Sequence, residues 1–116
     1  MKNYEDLKVW ARAHELCLTI YELTNSFPSE EKFGLISQLR RASSSIPTNI
    51  AEGCGYQTKK EFARFLRIDA GSTSEVEYQL LLSRDLKFMH ENDFDRLTKD
   101  TVIIRKMLYK LTQSLS

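Results

Sequence analysis

The sequence predicts an all-α protein: an antiparallel up-down-up-down four-helix bundle whose second helix is kinked at a proline. Apolar residues recur at three- and four-residue spacing through four successive segments, which is typical of amphipathic helices. Glycine and proline are scarce, at 4 and 2 of 116 residues, which disfavours a turn-rich β protein. The segments are joined by short connections, which favour antiparallel neighbours. Residues 1–116 therefore form a single predicted domain with one core.

Composition restricts the classes of function. The net charge of +1 gives no overall field that would attract nucleic acid or a membrane, so any basic surface has to be local. Cys17 and Cys54 lack the spacing of a metal site or a disulfide framework, and a reducing cytoplasm is the expected location. We find no signal peptide and no apolar stretch as long as a membrane span.

The first helix is predicted to run from Tyr4 to Ser26. Its polar residues follow one stripe at helical spacing, and they are Lys8, Arg12, Glu15, Thr19, Glu22 and Ser26. The remaining apolar arc is wider than one core requires. We therefore expect one of its two large residues, Trp10 or Leu18, to lie at a contact between subunits.

The second helix carries a regular apolar stripe, Leu35, Leu39, Ala42, Ile46 and Ile50. Pro47 lies within this stripe, and its ring would meet the carbonyl of Ser43, so we expect the helix to continue through Pro47 with a bend. The serines at 43–45 are expected to bond back to the freed carbonyls and ease the bend. A left-handed glycine, Gly53 or Gly55, is expected to end the helix.

The third helix begins with a capping-box pattern, Thr58 and Glu61, and is predicted to reach Met89. Its inner face is predicted to contain Phe62, Phe65, Leu66, Thr73, Val76 and Leu80. If helices 2 and 3 turn back symmetrically about residues 56–58, Ser43 and Ser44 lie opposite Ala70 and Gly71. The same register brings Arg40 or Arg41 level with Glu75.

The fourth helix is predicted to begin after an Asn92 cap. Its inner seam repeats at alternating steps of three and four residues, through Phe94, Leu97, Thr101, Ile104, Leu108, Leu111 and Leu115.

Two runs, "FPSEEKFGLISQLRRASSSIPTNIAEGCG" and "EFARFLRIDAGSTSEVE", together with "DLKVW" near the start, resemble a known family. Its members are small four-helix-bundle proteins encoded in intervening sequences of bacterial 23S rRNA genes. The resemblance implies a ring-shaped homo-oligomer, often a pentamer. A related protein, the accessory variability protein of diversity-generating retroelements, is a pentamer that binds nucleic acid and a reverse transcriptase. The resemblance thus implies RNA or DNA, and a protein such as a reverse transcriptase, as partners.

The candidate nucleic-acid-binding residues are basic. Lys59, Lys60, Arg64 and Arg67 form a local cationic face at the start of helix 3, and Arg40 or Arg41 extends it. The alternative for the helix 3 residues is a solvated face, and the alternative for one arginine is an ion pair with Glu75 or Glu77 inside the bundle. Family members often carry a basic residue where this chain has Tyr56.

No residue pattern indicates catalysis or a metal. His14 and His90 lack ligand spacing, and Ser72 has no histidine in register to act as a nucleophile's base. The expected protein is therefore non-enzymatic, with no cofactor. Two functions remain from the sequence: an oligomeric RNA- or DNA-binding accessory protein, or a ring-forming protein-interaction scaffold without a nucleic-acid role.

Overall fold

The structure is a computed structural model that describes residues 3–116. It contains four α-helices: α1 (Lys8–Thr24), α2 (Leu35–Cys54), α3 (Lys59–Asp85) and α4 (Glu91–Ser114). Short 3₁₀ turns at Tyr4–Asp6 and Ser29–Glu31 precede α1 and α2. Residues 3–116 contain no strand, so the predicted all-α class is confirmed.

The helices pack in chain order around one core. α1 contacts α2, α2 contacts α3, α3 contacts α4, and α4 returns to α1. The core contains the predicted stripe of α2 in full, and α4 contributes Leu97, Thr101, Ile104 and Leu108 from its seam. The α1–α2 pair and the α3–α4 pair therefore form opposite edges of a bundle. The up-down-up-down direction of all four helices stays a prediction.

α2 is continuous through Pro47, which is buried inside it. Ser43, Ser44 and Ser45 donate to the carbonyls of Arg40, Arg41 and Ala42 at 3.3, 3.2 and 2.7 Å. The serines bond back to the backbone as expected, but not to the Ser43 carbonyl that Pro47 leaves without a donor. The bend at Pro47 stays a prediction.

The predicted glycine stop is wrong, because neither Gly53 nor Gly55 has a positive φ. Gly53 instead permits close packing: a Cβ there would lie 2.8 Å from Cδ1 of Phe62 on α3. Within residues 3–116, the left-handed residue is Lys87, with φ of 66°. It ends α3 in a Schellman turn, in which the N–H of Phe88 donates to the carbonyl of Ser83.

Several predicted helix ends shift. α1 starts at Lys8 because Leu7 is extended, and α3 ends at Asp85, short of Met89. Asn92 does not cap α4, since His90 occupies the cap position. At α3 the predicted cap is present, and the N–H of Glu61 donates to Thr58 Oγ1 at 3.1 Å.

The α2–α3 register is displaced by nearly one helical turn from the prediction. Ser45, rather than Ser43 or Ser44, meets α3, and its Oγ donates to Ser72 Oγ at 2.9 Å. The N–H groups of Gly55 and Tyr56 still bond back to Glu52 and Gly53. The chain therefore continues along α2 beyond Cys54, the last residue of that helix, before it turns back. The turn between α2 and α3 consequently lies later in the sequence than the prediction assumed.

Candidate nucleic-acid interface

Lys59 and Lys60 are the first two residues of α3, and both are exposed. Neither forms an ion pair with any residue of 3–116. The start of a helix carries a partial positive charge from its unpaired N–H groups, so lysines there are electrostatically unfavourable within the isolated chain. An anion bound at this end would relieve that repulsion.

Arg64 lies one turn further along α3 and is held in place. Its guanidinium donates to Glu61 Oε2 at 3.2 and 3.3 Å and lies over the ring of Phe65, 4.7 Å from its centroid. The Tyr56 ring packs against Phe65 with a centroid distance of 5.2 Å. An aromatic and cationic surface therefore adjoins the two lysines.

Arg67 faces a groove between α3 and α4 with a volume of about 600 Å³. Its floor is apolar, with Leu66 and Leu108 buried at the base. The remaining lining residues are Arg67, Ala70, Arg105, Lys106, Tyr109 and Thr112. We call this depression the α3–α4 groove. A smaller depression of about 270 Å³ includes Lys60 as well as Arg67, so the groove lies next to the start of α3.

Lys106 and Tyr109 were not among the residues predicted from the sequence. Both are exposed on α4, and the Tyr109 side chain is 65% exposed. Their spacing of three residues places them on the same side of a helix. That spacing is the one sequence feature that could have identified them. The apolar seam of α4 is the clearest pattern in its sequence, so no function was assigned from the sequence to the residues on the outer face.

The two candidate arginines of α2 are engaged within the chain. Arg41 donates to Glu75 Oε2 at 2.6 Å. Glu75 is the partner expected for one of the two arginines, but the pair lies at the surface and not inside the bundle. Arg40 is half-buried and donates to Thr24 Oγ1, the Tyr21 carbonyl and Asn25 Oδ1 at 2.9 to 3.1 Å. The structure thus separates the predicted residues into an engaged α2 pair and the α3 group of Lys59, Lys60, Arg64 and Arg67.

One buried ionisable group lies apart from this surface. Asp69 is fully buried and accepts a hydrogen bond from Asn49 Nδ2 at 3.0 Å, while its Oδ2 has no partner among the described residues. Burial raises the pKa of Asp69 to about 8, and the bond from Asn49 opposes that change. The carboxyl is therefore mostly protonated at neutral pH.

The two cysteines are buried. Ser43 Oγ lies 3.8 Å from Cys17 Sγ, and burial raises the pKa of the Cys17 thiol. A low pKa is what makes a thiol reactive, so Cys17 has the character of a packed core residue.

Across residues 3–116 no cluster of three or more histidine, cysteine, aspartate or glutamate side chains has the arrangement of a metal site. Among the helices of the same residues, none combines the length and apolarity needed to cross a membrane.

The comparisons with known proteins agree with the fold. The model of the 23S rRNA-intervening sequence protein family matches residues 5–110. A crystal structure of a protein of unknown function from the S23 ribosomal protein family of Bacteroides thetaiotaomicron aligns with a TM-score of 0.83 and 25% sequence identity, covering 90% of this chain and 95% of that one. No curated protein gives a significant match. Because the family model spans nearly the whole chain, this protein belongs to the 23S rRNA-intervening sequence protein family.

Proposed function

We propose that this protein is a non-enzymatic, homo-oligomeric accessory protein that binds RNA through the start of α3. The observation that supports this is the group of exposed cations at a helix N-terminus, of which Lys59, Lys60 and Arg67 lack ion-pair partners within residues 3–116. Phosphate is the anion that such a terminus favours. The family's link to 23S rRNA intervening sequences favours RNA as its source, in the cytoplasm.

Homo-oligomerisation supplies the affinity that one subunit lacks. A single chain of net charge +1 has few phosphate contacts, whereas repeating the same cationic face around a ring raises avidity without any new contact. The apolar arc of α1 supports an interface, because Leu18 is 50% exposed and Tyr21 is exposed beside it. Trp10 instead packs against Tyr4 and His14, so Leu18 is the better interface candidate. Five subunits are proposed from the family resemblance.

A variant pair tests RNA binding. Lys59→Glu with Lys60→Glu places acids in the first turn of α3, where the helix dipole favours them, so the fold should be retained. We expect RNA binding to weaken strongly and the log–log slope of its salt dependence to fall by about 0.7 to 0.9 for each phosphate that the variant no longer neutralises. The matched control, Lys87→Glu with Lys99→Glu, changes the charge equally toward the other end of α3 and should retain binding.

The measurement is a titration of structured RNA at several salt concentrations, with the oligomeric state followed in parallel. Equal binding by wild type and the Lys59/Lys60 variant would exclude this face. A wild-type oligomer that binds no RNA at low salt would favour the second function, a ring-forming scaffold for a protein such as a reverse transcriptase. The engagement of Arg40 and Arg41 within the chain is the observation that favours this scaffold.

A further inference from the structure

Phe33 is the most exposed of the large apolar side chains of residues 3–116, at 89%. It follows the 3₁₀ turn Ser29–Glu31 in the connection from α1 to α2. A lone exposed leucine or tyrosine is ordinary on a protein surface, but a phenylalanine with nearly all of its surface in water has a large apolar area left to bury.

The connection that carries Phe33 is an ordered turn. The N–H groups of Glu31, Lys32 and Gly34 donate to the carbonyls of Pro28, Ser29 and Glu31 at 2.9 to 3.1 Å. The Glu31 carboxylate also accepts from the N–H of Leu35 at 3.1 Å, which fastens the turn to the start of α2. A side chain presented by a fixed backbone loses little conformational entropy on binding.

The α3–α4 groove has the complementary character. Its floor is apolar and its rim carries Arg67 and Lys106, neither of which forms an ion pair within residues 3–116. Beside Phe33, Glu30 is exposed and likewise has no ion-pair partner in that range. Lys32 lies over the Phe33 ring, with its Nζ 5.5 Å from the centroid, and two acids, Glu30 and Glu31, precede it. The turn that carries Phe33 is therefore net acidic, whereas the rim of the apolar groove is net basic.

We infer that Phe33 of one copy inserts into the α3–α4 groove of a second copy, with Glu30 facing Arg67 and Lys106. Phe33 lies at the α1–α2 edge and the groove at the opposite α3–α4 edge, so each copy offers one projection and one groove. Such a contact is heterologous, and it repeats until it closes a ring or forms a filament. This inference rests on the homo-oligomer of the proposed function. It assigns Arg67 to the contact between copies and leaves Lys59, Lys60 and Arg64 open to RNA.

Two variants remove opposite halves of the contact. Phe33→Ala removes the projection and keeps the groove, while Ala70→Trp fills the groove with its own indole and keeps the projection. Both sites are exposed, so thermal unfolding should be nearly unchanged. We expect each variant alone to associate at least about tenfold more weakly than wild type, as at an interface hot spot. Tyr78→Ala, an exposed aromatic on α3, is the matched control and should associate normally.

Mixing the two variants separates this contact from other interfaces. In the mixture, the Ala70→Trp variant still carries Phe33 and the Phe33→Ala variant still carries an open groove. The expected product is therefore a 1:1 dimer that grows no further, and sedimentation equilibrium measures it. A mixture that stays monomeric overturns the inference. If Phe33→Ala or Ala70→Trp assembles like wild type, this contact is wrong while the proposed oligomer stands. If wild type is itself monomeric at high micromolar concentration, both fail, and RNA binding is decided separately by the Lys59/Lys60 titration.

Discussion

α3 contacts α2 on one side and α4 on the other, and a groove lies beside the α4 contact. Against α2, four polar contacts connect the helices in steps of one turn, from Asn49–Asp69 through Ser45–Ser72 and Arg41–Glu75 to Gln38–Gln79. Against α4, two ion pairs connect the helices, Arg105–Glu77 and Arg84–Glu91, and the α3–α4 groove lies beside the first of them. The polar contacts with α2 specify the register of α2 against α3. The groove beside α4 instead leaves apolar surface and free cations for a partner.

Close packing of α2 on α3 depends on small side chains. Gly53 lies against Phe62 and Phe65, and Ser45 meets Ser72. Gly71, which the sequence also placed in this contact, is exposed, and a Cβ added to it would point into open space. The two helical glycines therefore have different roles, which yields the prediction with the largest expected effect.

Gly53→Val should lower the free energy of unfolding by about 3 kcal/mol, because overpacking forces rings or backbone to move. Its Cβ would lie 2.8 Å from Cδ1 of Phe62 and 3.1 Å from Cβ of Phe65. Chemical denaturation measures the change. Gly71→Ala is the control and should stabilise by about 0.5 to 1 kcal/mol through helix propensity. Similar losses in both variants would contradict the assignment of Gly53 to the close contact.

Asp69 makes the contact between α2 and α3 sensitive to pH. Its pKa is raised from 3.8 to about 8, so the folded chain holds this proton more tightly than the unfolded chain. The stabilisation is fully present below pH 3.8 and is lost as the pH rises toward about 8, at up to about 1.4 kcal/mol per pH unit. Unfolding free energies at several pH values measure this slope.

Asp69→Asn should remove that slope, because an amide accepts the bond from Asn49 without titrating. Near pH 8 the variant should be more stable than wild type. The Asn49→Ala variant is a useful control, since it keeps the carboxyl and should retain a pH dependence of the same sign. A slope unchanged in Asp69→Asn would assign the pH sensitivity to other groups.

The smallest expected effects come from the ion pairs on the two sides of α3. Double-mutant cycles should give coupling below about 1 kcal/mol for both Arg41–Glu75 and Arg105–Glu77, because both are solvated. The coupling should be larger for Arg105–Glu77, whose side chains are 39% and 28% exposed, than for Arg41–Glu75, at 64% and 37%. The reverse order would mean that the polar contacts around Arg41 contribute cooperatively to the α2–α3 side.

The candidate site was predictable only in part. Lys59 and Lys60 follow directly from a capped helix start, because lysine is almost never fully buried without a partner. Arg40 and Arg41 are adjacent in sequence, yet one reaches α1 and the other α3, since consecutive residues on a helix point about 100° apart. No local sequence pattern indicates which helix each arginine contacts. The extent of the cationic surface without partners could therefore be seen only in the packed structure.

The sequence by itself determined the four helices, the inner stripe of α2 and the continuation of α2 through Pro47, because helical periodicity and local serine bonds act within a few residues. Only the tertiary structure decided the use of Gly53, the burial of Asp69 and the α3–α4 groove. Each of these depends on how closely two helices approach and with which register. Those distances arise from side chains far apart in the chain, which one-dimensional periodicity does not encode.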